Sequence, residues 1–262
     1  MTGASFILPA LSLSRRELVR FYRQRSRIIG VIGSPLVFWF LIGSGLKSSF
    51  RYPSAPPDVN YMEYFYPGTI VLIILFTSIF STISIIEDRR EGFLQSVIVA
   101  PVPRSSIALG KIAGGTALSM IQGILLLLLA PFVGFSFSAG SLLLVLATLF
   151  LLSFGLTGLG FMIAWRMDST QGFHAIMNLF LIPLWLLSGS LFPASGAAGW
   201  LRGLMTINPL SYGVSALRQG LYLNGTENIR DIASLPVSLF VSGLFSLATY
   251  WISVALVSAR NR

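Results

Sequence analysis

The stretch GTIVLIILFTSIFSTISII, residues 68–86, runs for nineteen residues without a charged side chain. A helix needs about 20 apolar residues to cross a hydrocarbon core of roughly 30 Å, so this segment reads as a membrane span. Working outward from it, five further uncharged apolar stretches meet the same length requirement, at about 28–46, 112–134, 141–165, 175–192 and 235–257. Hydrophobic residues make up 54% of the 262 and charged residues 10%, against roughly 25% charged in soluble domains. The expected fold is an all-α membrane protein of six transmembrane helices, read as a single transmembrane domain over residues 1–262.

The net charge of +9 could suggest nucleic acid, but the basic residues flank apolar runs and form no continuous patch, which argues against nucleic-acid binding. There is no cysteine, which excludes disulfides and thiolate chemistry, and His174 is the single histidine, too few for a zinc site. The first apolar run follows 27 residues containing six arginines and offers no small-residue cleavage site, so it is expected to be a retained anchor and not a signal peptide.

With six spans both ends of the chain lie on one side, and the Lys/Arg distribution chooses that side. Arg15, Arg16, Arg20, Arg23, Arg25, Arg27, Arg89, Arg90, Arg104, Lys111, Arg166, Arg260 and Arg262 fall in one set of connecting segments. Only Lys47, Arg51, Arg202, Arg218 and Arg230 fall in the other. Thirteen against five predicts cytoplasmic termini and an inner (plasma) membrane protein of bacterial type.

Ahead of the first span, Ser14 and Glu17 have capping-box spacing and predict a helix start. At 100° per residue Arg16, Arg20, Arg23 and Arg27 share a stripe opposite Leu18, Phe21 and Tyr22. That pattern predicts a helix in the membrane surface, with the arginines toward anionic headgroups; the alternative is a positive flank that merely obeys the orientation rule.

None of the charged residues lies within a span, which disfavours a carrier driven by buried proton- or sodium-coupling groups. The chain also lacks a phosphate loop of its own. In Gly43-Ser44-Gly45-Leu46-Lys47-Ser48 a leucine precedes the lysine, and Gly110-Lys111 is followed by Ile112. No catalytic residue and no metal site is expected, since no span offers a nucleophile with an acid/base pair. Uphill transport would need ATP hydrolysed elsewhere. Ser78, Ser81 and Thr82 in the second span, Gln122 in the third and Asn178 in the fifth are candidates to line a pathway or, equally, to hydrogen-bond between helices. Gly155, Gly158 and Gly160 allow close approach of the fourth helix to a neighbour.

Two segments carry a resemblance. The first, within a loop spanning about 87–111, contains Glu87, Arg89, Arg90, Glu91, Gly92, Phe93, Leu94, Pro101 and Arg104. A charged cluster, a short apolar helix, a Pro-x-Pro stop and Ser105 and Ser106 as candidate caps make a compact loop helix. The second runs Gly189, Phe192, Pro193, Trp200, Asn208, Pro209, Tyr212 and Arg218, with apolar stretches too short to span. Pro193 is expected to end a helix and Asn208-Pro209 to turn the chain, giving two short re-entrant helices over about 193–224.

The first segment resembles the coupling loop of type-2 ABC exporter permeases, E-x-x-x-G-T-L-E-x-L-x-x-x-P-[VI]-x-R. Glu87 or Glu91 takes the leading acid; Phe93 and Gln95 stand where threonine and glutamate are usual. The second resembles that family's S-G-x-x-[FY]-P, W-[LM] and N-P-[LM]-[ST]-Y-x-x-x-x-[LIF]-R series. The resemblance implies a permease without catalytic activity or cofactor of its own, and two copies of an ABC ATPase subunit carrying ATP and Mg. It also implies a second permease subunit, as a homodimer or close heterodimer, and an amphipathic, lipid-like, drug or glycan-linked cargo. The loop would dock on the ATPase through apolar anchors such as Phe93, Leu94 and Val97, the outer element would cap the pathway, and spans one and five, with Trp39 and Trp185, are the expected subunit interface. The alternative is an ATP-independent channel or secondary transporter.

Overall fold

The computed structural model of the chain describes residues 4–23, 25–45, 61–223 and 232–259, and no strand occurs among them. Four helical stretches are long and apolar enough to cross a membrane, at 61–90, 104–127, 139–166 and 235–259. The chain is therefore an all-helical integral membrane protein. The first stretch comprises α3 (Tyr61–Ser81) and α4 (Ile83–Arg90); the others are α6 (Arg104–Leu127), α8 (Ala139–Arg166) and α12 (Leu235–Ala259). Two more helices match the remaining apolar stretches, α2 (Arg25–Gly45) and α9 (Thr170–Leu186); α9, at 17 residues, falls short of the usual spanning length.

The 61–90 stretch is the hub. Its apolar window is 89% buried, whereas that of α12 is 28% buried and faces outward. α6, α8, α2 and α9 all pack on α3. Without water, helices associate through close packing of small residues and hydroxyl bonds, and the contacts here are of that kind. A Cβ on Gly155 would come within 2.7 Å of Phe245, and one on Gly158 within 2.6 Å of Thr249, so α8 meets α12 too closely for a side chain at either glycine. Gly160 faces Thr82 of the hub in the same way.

Several boundaries differ from those expected. Residues 61–67 are helical and not loop, because Tyr61, Tyr64, Phe65 and Tyr66 are buried and extend the apolar face of α3. The 112–134 stretch breaks at Leu128 and Leu129 ahead of Pro131, leaving a separate turn of helix, α7 (Ala130–Val133). Ser14 and Glu17 do not begin the first helix: α1 spans Ala4–Arg23, and the Glu17 carboxylate is engaged by Lys111 instead of by backbone. α9 ends at Leu186, well before Pro193, which instead precedes a 3-10 turn at Ala194–Gly196. The Arg27 side chain and residues 46–60 and 224–231 lie outside the described residues.

Candidate functional site

At one end of the bundle the hub helix runs past Thr82 into α4 and then turns sharply. Gly92, at φ 77°, makes the turn that a side chain would strain, and α5 (Phe93–Val99) follows. Pro101 and Pro103 stop α5, and α6 starts at Arg104. Ser105 and Ser106 are thus inside α6; the Ser106 hydroxyl donates to the Pro103 carbonyl at 2.8 Å and caps no backbone N–H.

Asp88, fully buried, organises this corner. Arg16 reaches it with a bidentate fork, both bonds 2.7 Å, and Arg20 adds a third at 2.7 Å. Lys111, buried near the start of α6, donates to both Asp88 and Glu17. Arg20 also reaches Glu87 at 2.9 Å and Glu91 at 3.4 Å. The hydrogen bonds that Arg16 donates to Asp88, with the charge of that carboxylate, outweigh burial and raise the pKa of the guanidinium above its already high value, keeping it cationic. The same guanidinium lies 3.7 Å over the Phe93 ring. Gly110 and Gly114 let α1 come this close: a Cβ on Gly110 would sit 2.7 Å from the Ala10 carbonyl oxygen, and one on Gly114 2.8 Å from Glu17 Cβ.

The other side of α4 grips the turn between α8 and α9. Arg89 donates to the Met167 carbonyl and the Asp168 carboxylate, each at 3.0 Å, and to the Trp165 carbonyl. Arg90 donates to the Asp168 carbonyl at 2.9 Å. One short corner is therefore tied by charge to α1, to α6 and to the α8–α9 turn.

The residues expected to anchor a partner are placed differently. Leu94 is buried, Phe93 lies under Arg16 of α1, and Val97 is half-buried, because that arginine and the bundle claim much of their surface. The outward surface is Gln95, Ser96, Val99 at 84% exposure, and Pro101. The basic stripe is also divided: Arg16 and Arg20 turn to Asp88 and not to a headgroup, while Arg23 is exposed. Asp88, Glu17 and Lys111 were missed as site residues. The available signal was Lys111 between Gly110 and Gly114, a cation flanked by small residues at the mouth of an apolar helix.

The polar residues of the hub sit between helices in this chain, and Ser81 also borders a small pocket shared with Glu17 and Arg20. Ser78 pairs with Ser119 at 2.7 Å, Thr77 donates to Gln122 at 2.6 Å, and Ser81 and Thr82 bond back to the Ser78 and Ile79 carbonyls. Ser78, Ser81, Thr82 and Gln122 are all buried, whereas Asn178 is exposed on α9. Trp39 and Trp185 likewise point inward, donating to the Met62 and Gly68 carbonyls at 3.2 and 2.8 Å, so neither ring faces outward as an interface anchor.

At the opposite end, Gly189 (φ 80°) turns the chain after α9. Its carbonyl accepts from Tyr64 at 2.8 Å and from Arg218 at 2.9 Å, and the Arg218 guanidinium lies 4.2 Å over the Tyr64 ring. Asn208 caps α11 (Pro209–Leu221) by accepting from the Leu210 amide at 3.0 Å, while its amide donates to the Leu184 carbonyl at 2.7 Å. Pro209 at the first helical position suits that start. Tyr212 donates to the Thr206 carbonyl at 2.8 Å, holding α10 (Gly199–Ile207) to α11. Pro193 is buried, Phe192 partly so, and Trp200 is 72% exposed.

The chain is 29% identical over 257 residues to the protein named transport permease ycf38 of Cyanophora paradoxa, covering 97% of this chain and 84% of that one. It is 28% identical over 258 residues to the inner membrane transport permease YadH of Escherichia coli K12, covering 94% and 93%. It is 24% identical over 263 residues to nodulation protein J of Sinorhizobium fredii, covering 97% and 96%. The family model described as ABC-2 type transporter matches residues 10–222, from the helix that clamps Asp88 to the end of the Arg218 helix, and the chain belongs to that family of transport permeases.

Proposed function

We propose that this chain is the membrane-spanning permease subunit of an ATP-driven exporter, docked through its α4–α5 corner on a separate ABC ATPase that holds the ATP and Mg. The observation that carries the reading is the division of labour at that corner. Its charged residues Arg89 and Asp88 are bound to three other elements of the bundle, while Gln95, Ser96, Val99 and Pro101 are exposed at its tip. A push on those four residues would be passed directly to α1, α6 and the α8–α9 turn. Membership of the ABC-2 type family supports the same partner.

In this reading α2 and α9 complete six spans, and the corner and both termini are cytoplasmic, as the Lys/Arg distribution predicts. A relative named as an inner membrane permease supports that location. Two ATPase copies serve two permease subunits, as a homodimer or close heterodimer. The outward apolar faces of α2 and α9, including Phe40, Leu41, Leu179 and Phe180, are better suited to the subunit contact than the inward tryptophans. α10 and α11 form the outer cap, and the cargo is amphipathic, lipid-like, drug or glycan-linked.

The test is co-purification of the ATPase with wild type and with Val99→Asp, Glu91→Gln and Arg104→Gln. Val99→Asp should abolish association while thermal stability stays unchanged, because Val99 is 84% exposed. Association and nucleotide-dependent transport that survive all three changes would remove the corner from the mechanism. Transport in vesicles without nucleotide would favour the ATP-independent alternative.

A further inference from the structure

α1 has three faces: one packs inward, one carries the cations that hold Asp88, and one is exposed. Ala10, Leu13, Glu17 and Phe21 pack inward against the start of α6. Ile7, Leu8, Leu11 and Tyr22 are each more than half exposed on a second, apolar sector. Between that sector and the α4–α5 corner lies an open groove of about 640 Å³ lined by Ser12, Arg15, Arg16, Val19, Arg20, Arg23 and Glu91. Arg16 and Arg20 are committed to Asp88, but Arg15 and Arg23 are exposed and take no acidic partner among the described residues.

We infer that this groove binds the headgroup of an anionic phospholipid of the leaflet on which α1 lies, with Arg15 and Arg23 on the phosphate and the apolar sector of α1 among the acyl chains. A surface helix with an exposed apolar strip and a basic edge is held by that combination, since apolar burial sets its depth and cations select anionic lipid. Depth comes from the fold: α1 is pressed by Gly110 and Gly114 against the first turns of a membrane-spanning helix, so its apolar strip meets the bilayer edge. A protein partner would leave that strip uncovered. The site shares Arg16, Arg20 and Glu91 with the coupling corner, so a bound headgroup bears directly on the cations that hold Asp88. This rests on the proposed placement of the corner at the cytoplasmic membrane surface, but not on the ATPase.

The experiment uses the purified full chain without any ATPase. Wild type and Arg15→Gln/Arg23→Gln are placed in nanodiscs of phosphatidylcholine with increasing phosphatidylglycerol, and protein-associated lipid is quantified by native mass spectrometry. At about fivefold per surface cation, the double variant should bind phosphatidylglycerol roughly thirtyfold more weakly and lose its preference over phosphatidylcholine. Tyr22→Ser should weaken both lipids without changing that preference. Retained selectivity within about threefold in the double variant would overturn the site, as would displacement of the lipid by millimolar glycerol phosphate, which would make it a pocket for soluble anions. Retained lipid selectivity in the double variant, with loss of ATPase association in a separate co-purification, would overturn the lipid site and assign the groove to a protein. Val99→Asp should leave the lipid preference unchanged, so failure of the ATPase reading and failure of the lipid site are distinguishable.

Discussion

Arg16 and Asp88, 72 residues apart in sequence, meet through two hydrogen bonds of 2.7 Å, and Lys111 donates to the same carboxylate from a third helix. The geometry makes the carboxylate a shared counter-ion, so removing its charge leaves the buried Lys111 ammonium with Glu17 alone and takes the bidentate partner from Arg16.

Asp88→Asn should therefore cost about 3–5 kcal/mol, the usual result of leaving one member of a buried pair alone. Replacing both members in Asp88→Asn/Lys111→Met should recover only part of that, because the buried Lys111 cation is gone but the buried Glu17 carboxylate then keeps Arg16, 3.7 Å away, as its one close cation. Thermal unfolding of the single and double variants in one detergent checks the order. Equal destabilisation of both would mean that Lys111 is not what Asp88 neutralises.

The glycines that seat α1 lead to a second expectation. Gly110→Val puts carbon where the Ala10 carbonyl stands 2.7 Å from an ideal Cβ, and backbone cannot swing aside as a side-chain tip can. The cost should be about 1–3 kcal/mol, and it should appear first as detachment of α1. Limited trypsin digestion at Arg15 and Arg16 should be several-fold faster than in wild type, with the 139–166 region still protected. An unchanged digestion rate would show that α1 is held by its ion pairs alone.

These two features mark where sequence reading stops. Apolar length is a property of contiguous residues, so 141–165 and 235–257 could be placed to within a few positions of the helices found, 139–166 and 235–259. The corner's position and the Asn208-Pro209 start of α11 were legible too, since Gly92, Pro101 and Pro209 act on their own neighbours. Which way a side chain faces is set by residues far along the chain. Arg16 and Arg20 have the spacing of a headgroup stripe, and only the fold brings Asp88 beneath them. Phe93 and Trp185 look like surface anchors until Arg16 and the Gly68 carbonyl take them. Residues 61–67 were misread as loop because tyrosines and a glutamate lower their apolarity, although burial of the rings makes them part of the hub.

Arg89 should prove intolerant of lysine. Its fork serves two backbone carbonyls and one carboxylate, and its plane lies 5.6 Å from the Trp165 ring centre, a combination that a single ammonium cannot reproduce. Arg89→Lys should raise hydrogen exchange across residues 165–169 and change Trp165 fluorescence. Asp168→Asn should alter stability by no more than about 0.5 kcal/mol, because that carboxylate is 86% exposed and its Coulomb energy is screened. A large effect at Asp168 with a small one at Arg89→Lys would reverse this assignment and make the ion pair, not the carbonyl bonds, the tie.

At the far end the Gly189 carbonyl receives Tyr64 and Arg218 together, while the guanidinium also rests on the Tyr64 ring, so each donor helps to position the other. Tyr64→Phe keeps the ring and deletes one bond, and should cost about 1 kcal/mol because Arg218 still satisfies the carbonyl. Gly189→Ala should cost about 1–2 kcal/mol for a different reason, the left-handed φ of 80°. Arg218→Lys weakens the remaining donor, so its effect should grow when Tyr64→Phe has already removed the other bond to the Gly189 carbonyl. A double-mutant cycle of Tyr64→Phe with Arg218→Lys should give a coupling of at least about 0.5 kcal/mol. Additivity within about 0.3 kcal/mol would mean that the two donors hold the turn independently and that Gly189 is not their common hinge.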